Sequence, residues 1–103
     1  MSFRPLLKLL HAASNITIDT TGTSYDLSTL VGTYAKSGDI FIHNTGATDV
    51  YVGYDQNLGQ VDTSGAGSLR VIGGSSKTRS TSVSIVSLKT ASGSSTIDIE
   101  IWG

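Results

Sequence analysis

His43 is the residue of this chain best suited to acid–base chemistry, with Ser37, Asp39 and Asp49 close to it in sequence. A hydrolytic triad needs a nucleophile, a base and an orienting acid in mutual contact. No serine here carries the glycine pattern of a nucleophile elbow. With 16 Ser and seven Asp in 103 residues, such neighbours arise from composition alone. His43 is therefore read as a strand residue at a surface or interface, and no catalytic residue is assigned.

Two further segments imitate ligand loops and fail at the positions that matter. Asp55-Gln56-Asn57-Leu58-Gly59 opens like a calcium loop but lacks the bidentate Glu and the flanking helices, so it reads as an Asx-rich turn. Gly73-Gly74-Ser75-Ser76-Lys77-Thr78 imitates a phosphate loop, yet Ser76 stands where Gly must precede the Lys and Val71 where the first Gly belongs. Residues 73–79 are instead expected as a polar hairpin loop whose Lys77 and Arg79 can meet an acidic partner surface. Asn15-Ile16-Thr17 fits the glycosylation acceptor pattern without any sign of secretion. The chain has no Cys, which removes disulfides and thiolate metal sites. No cofactor or metal is expected.

The four tyrosines are more informative. A tyrosine on a sandwich strand ordinarily packs its ring in the core and keeps its hydroxyl wet. In Val50-Tyr51-Val52-Gly53-Tyr54, however, inward Val50, Val52 and Tyr54 would leave Tyr51 pointing out beside Gly53, where it suits contact with carbohydrate or protein.

The elements that must position these residues are short and alternating. Ile16-Thr17-Ile18-Asp19 reads as a strand ending in a Thr/Gly turn. Residues 25–31 read as a strand or a short helical turn that Asp26 could cap. Ile40-Phe41-Ile42-His43 and Val50-Tyr51-Val52-Gly53-Tyr54, joined by Asn44-Thr45-Gly46-Ala47-Thr48, form the strongest hairpin candidate. Ser68-Leu69-Arg70-Val71-Ile72 follows a longer connection. Residues 82–88 carry apolar side chains on both faces, as a bulged strand or one buried on both sides would. In residues 96–102, Ile97, Ile99 and Ile101 point one way and Asp98 and Glu100 the other, which fixes the register of the last strand.

Such punctuation implies an all-β, single-domain sandwich with jelly-roll or Greek-key connections over residues 16–103. Residues 1–15 differ. Leu6, Leu9, Leu10 and Ala13 have helical spacing, yet the segment also reads as an extended arm with leucine on both faces. Leu6, Leu7, Leu9 and Leu10 are expected to bury against the sandwich itself or a neighbouring subunit. A net charge of −1 and 15% charged residues give no hint of nucleic acid or an anionic membrane as partner. No apolar run approaches the roughly 20 residues that span a bilayer. Arg4, the leucines and Ala12-Ala13-Ser14 loosely imitate a signal peptide, but synthesis in the cytoplasm of the producing cell is the expectation.

The stretch Gly38-Asp39-Ile40-Phe41-Ile42-His43-Asn44-Thr45-Gly46-Ala47-Thr48-Asp49-Val50-Tyr51-Val52-Gly53, with the apolar strand ending in Gly73-Gly74 and the closing strand to Trp102, resembles small bacteriophage virion proteins. The resemblance covers about the last two-thirds of the chain. It implies a capsid decoration, or cement, protein: a non-enzymatic β-sandwich that binds the major capsid protein on the outside of the virion, as a homotrimer or other symmetric homo-oligomer. A head-to-tail or tail component and a carbohydrate-binding module on a virion fibre are the alternatives. A sugar module should show a contiguous outward aromatic platform. A cement protein should show an apolar arm and flat, hydroxyl-rich faces. On the cement reading the contact residues are Leu6, Leu7, Leu9, Leu10, Tyr51, Lys77 and Arg79.

Overall fold

A computed structural model describes residues 8–32, 36–64 and 69–103. Eight strands, β1 (Leu9–Ile18), β2 (Thr23–Asp26), β3 (Asp39–Asn44), β4 (Val50–Tyr54), β5 (Leu69–Val71), β6 (Ser76–Ser80), β7 (Ile85–Lys89) and β8 (Ser95–Trp102), build the fold with one five-residue helix, α1 (Leu27–Val31). They form two antiparallel sheets, sheet I in the order β1-β8-β3-β6 and sheet II in the order β2-β7-β4-β5. First pairs with last and the pairing nests inward: β1 with β8, β2 with β7, β3 with β6, β4 with β5. That nested order is the jelly roll.

The core follows from period-two patterning. Ile18, Ile40, Ile42, Ile97, Ile99 and Ile101 line the inner face of sheet I, and Tyr25, Val50, Val52, Val71, Val86 and Leu88 that of sheet II. Leu27 at the start of α1 joins them. Asp26 caps that helix, its carboxylate accepting from the Ser28 amide at 3.0 Å.

The expected hairpin between Ile40-Phe41-Ile42-His43 and Val50-Tyr51-Val52 does not form, because β3 and β4 lie in different sheets. The turn between them is a crossing, anchored by Asn44. This fully buried amide donates to the carbonyls of Thr48 (2.7 Å) and Val71 (3.0 Å) and accepts from the Gly46 amide (3.2 Å) and the Ser95 hydroxyl (2.6 Å). Every hydrogen-bonding position of the side chain is therefore used.

Residues 73–79 also differ from expectation. Only Ile72 to Ser75 turns, closed by the Ser75 amide on the Ile72 carbonyl at 2.9 Å, with Gly74 at φ 81. Gly73 lies so close to the Ala47 backbone that a Cβ would clash with it. From Ser76 onward the chain is strand, paired with β3. Lys77 and Arg79 thus belong to a sheet edge, not to a loop.

At the other end, β1 crosses the boundary expected at residue 15. Residues 9–15 are strand on β8, neither helix nor free arm, and the Lys8 and Gly103 amides exchange hydrogen bonds with each other's carbonyls at 2.7 and 2.8 Å. The strand is bulged twice, and Asn15, at φ 55, occupies one bulge with its amide on the Asp98 carboxylate.

Candidate binding surfaces

Cross-strand partners share a face, so the register maps the outside of each sheet. On sheet I, Asp39 stands opposite Trp102, Phe41 opposite Glu100, and His43 opposite Asp98. Two rows therefore make a checkerboard, with Asp39 and Glu100 on one diagonal and Phe41 and Trp102 on the other. Leu9, half exposed, extends it as the partner of Trp102 across β1. A groove of about 330 Å³ runs beside Phe41 and Glu100, floored by Ala12, Ala13 and Ile99. The Trp102 indole donates to Glu100 at 3.3 Å, and Asp39 accepts from the Ser80 hydroxyl at 2.6 Å. Among the described residues, none of Asp39, Asp98 and Glu100 has a cationic partner.

Sheet II presents the opposite sign. Tyr51 points outward, opposite Arg70 of β5 on one side and Lys89 of β7 on the other. Arg70 sits 3.9 Å from Asp49, a long and exposed ion pair that binds weakly. The middle of this face, at Gly53 and Ser87, is covered by residues 56–61. Val61 and Gln56 lie over Gly53, where any Cβ would collide with them, and the buried Ser87 hydroxyl donates to the Gln56 carbonyl at 2.6 Å. That cover explains why the β7 sequence is buried on both faces.

The two open sides of the sandwich are each closed by an aromatic ring. His11 of β1 packs against Tyr25 of β2 with the rings tilted by 45° and centroids 4.9 Å apart, and Arg79 of β6 lies over Tyr54 of β4. Burial raises the phenol pKa of both tyrosines; in Tyr54 the Arg79 charge opposes that rise.

Of the residues singled out by sequence, Leu9 is exposed beside Trp102, while Leu10 packs on the core and touches Gly103. Leu6 and Leu7 lie outside the described residues. Tyr51 faces out with Arg70 and Lys89. Lys77 and Arg79 stand opposite Ile42 and Ile40, so they point toward the inner side of the sheet at its edge, a placement that discourages strand addition. His43 stands between Ser76 of β6 and Asp98 of β8 on the outer face of sheet I, and among the described residues it makes no hydrogen bond to either, as a base bound to its nucleophile and orienting acid would. The Ser37 hydroxyl is held by the Thr81 carbonyl at 2.7 Å and the Val83 amide at 3.2 Å, and Asp49 accepts from the Gly73 amide at 3.1 Å. Asp55 and Asn57, the would-be calcium ligands, instead accept from the Ser84 and Ile85 amides and from the Gln60 amide, at 2.7, 3.2 and 3.1 Å.

Sequence reasoning missed the checkerboard. The alternation of β8 already placed Trp102 outward with Glu100 and Asp98; the missing information was that β3 lies beside it. No family model matches the chain, and no curated protein matches it. Among solved structures it is similar to the coat protein of Tobacco streak virus, 14% identical over 95% of this chain and 83% of that one, with a TM-score of 0.49. That likeness is too loose to carry fold or function.

Proposed function

We propose that the chain is a non-enzymatic structural protein of a virion, one that decorates and stabilises a bacteriophage capsid by binding the major capsid protein as a symmetric homo-oligomer, a trimer being the simplest. The observation that carries this reading is the distribution of polar groups. The Ser37 hydroxyl, the Asp49 and Asp55 carboxylates and the Asn57 amide oxygen, candidates for catalysis or metal binding by sequence, are spent on backbone amides and carbonyls. Asp39, Asp98 and Glu100, which have no cationic partner among the described residues, and the cations Arg70 and Lys89 lie on the two outer faces with the half-buried rings of Phe41, Trp102 and Tyr51. Chemistry placed on flat faces serves contact. The resemblance of residues 38–53 to phage virion proteins gives that contact its setting, and jelly rolls recur in viral shells, an argument by analogy of fold.

The Phe41 and Trp102 pair favours a second reading, a carbohydrate-binding module, since aromatic faces beside carboxylates can stack on sugar rings and accept from their hydroxyls. Electron microscopy of virions from the source of this sequence, labelled with antibody to the chain, tests the first reading. Label over the capsid surface is expected. Label confined to the tail would make the chain a tail component, label on a fibre with glycan binding would support the second reading, and absence from the particle would overturn the virion role.

A further inference from the structure

The outer faces of the two sheets are complementary in charge, in spacing and in the placement of their rings. Arg70, Tyr51 and Lys89 form one cross-strand row, so the two cations stand two strand spacings apart, about 10 Å. On sheet I, Asp39 and Glu100 sit on adjacent strands and two residues apart in register, a diagonal of about 8 Å. Long Arg and Lys side chains absorb the difference. Laying the cationic row along the acidic diagonal puts Tyr51 at its midpoint, over the gap between Phe41 and Trp102.

We propose that the Asp39-Trp102-Phe41-Glu100 checkerboard of one copy docks on the Arg70-Tyr51-Lys89 row of a second copy. The strands present no Lys or Arg on the outer face of sheet I, so two such faces repel each other and the contact is heterologous. It repeats from copy to copy and closes into a ring when the rotation allows. The contact names the surfaces for the self-assembly part of the proposed function and rests on that reading.

Trp102 is the single tryptophan, so its emission reports on the interface directly. Sedimentation velocity of the full chain is expected to show concentration-dependent assembly that weakens with salt, accompanied by a blue shift of the emission. Arg70→Glu with Lys89→Glu, and separately Asp39→Lys with Glu100→Lys, should each weaken assembly at least tenfold while keeping the wild-type circular dichroism. Mixing the two reversed variants should restore the contact between unlike chains, because each altered face then meets its complement, with closed rings forming only where an even number of copies lets the two kinds alternate. If a reversed variant fails to fold, Asp39→Asn with Glu100→Gln removes the charge without reversing it and should still weaken assembly. Assembly indifferent to these changes, or a chain monomeric at all concentrations, would overturn the contact. So would a Trp102 shift produced by oligosaccharide and not by protein concentration, which would assign the face to sugar. Wild-type chain that binds virions while the reversed variants self-assemble normally would refute the contact and leave the virion role standing; wild-type chain that self-assembles as described yet is absent from virions would do the reverse.

Discussion

The guanidinium carbon of Arg79 lies 4.8 Å from the ring centroid of Tyr54, linking the outermost strand of one sheet to an inner strand of the other. Arg79 stands opposite Ile40 on the inner face, so its side chain covers the side of the core. Arg79→Ala is expected to cost about 1 kcal/mol in urea unfolding, within the usual range for a partly desolvated cation over an aromatic ring, with Arg79→Lys recovering part of it. An unchanged midpoint in both variants would mean that the contact contributes nothing to stability.

Asn44 should be among the least replaceable polar residues. Asn44→Leu fills similar space but strips a partner from the carbonyls of Thr48 and Val71 and from the Ser95 hydroxyl, while the Gly46 amide keeps the Thr96 carbonyl. Buried groups left unpaired cost about 1–3 kcal/mol each where water cannot reach them, so a loss of several kcal/mol is expected. Wild-type stability for Asn44→Leu would show that the crossing holds without its amide.

Ile99, on the inner face of β8, is 1% exposed. Ile99→Asp places an unpaired carboxylate between the sheets and is expected to remove most of a domain stability of about 5–15 kcal/mol. Soluble protein with a cooperative unfolding transition near the wild-type midpoint would contradict the face assignment.

The buried phenols set an alkaline limit. Tyr25 and Tyr54 have folded pKa values raised above the ordinary value of about 10, so the fold favours their neutral forms. Their contribution is whole below about pH 10 and is lost as pH climbs through the folded values. Tyrosinate absorbance from these two residues should appear above the ordinary phenol range, and Tyr54→Phe should move the alkaline midpoint of unfolding upward. Full ionisation of every tyrosine in intact protein would show both rings to be open to solvent.

Truncation within β1 measures what the first half of that strand contributes. A chain beginning at Lys8 is the reference, since the described strands lie within residues 9–102. Removing residues 1–14 deletes most of β1, including Leu10 and Ala13 from the packed core, and should cost about 3 kcal/mol or more from lost burial and ladder bonds. Equal stability of the two truncated chains would mean that β1 contributes nothing before residue 15.

The parts of the fold legible in the sequence were those settled by local patterning. The isoleucines of β8 alternate without exception, and Asp26 stands immediately before the helical turn that it caps. What escaped was decided at long range. The segment from Asn44 to Thr48 has the composition of a hairpin loop, and only burial of the Asn44 side chain against Val71 and Ser95 makes it a crossing between sheets. β6 has no apolar residue, and every side chain is exposed, so its strand character comes wholly from pairing with β3. The outward position of Tyr51 could be read from its valine neighbours, but the flanking cations lie on strands that sequence alone does not place beside it.

Nested pairing also dictates when the molecule can be completed during synthesis. β4 and β5 can meet as soon as both have left the ribosome, whereas β1, made before all the other strands, finds its partner only when β8 emerges. Until then β3 lacks one of its two neighbours, and the inner face of sheet I lacks Ile97, Ile99 and Ile101. Closing so large a loop is entropically slow, and the unfinished sheet exposes strand edges in the meantime. Emergence of β8, more than any local folding step, should therefore set the moment at which this fold becomes safe from aggregation.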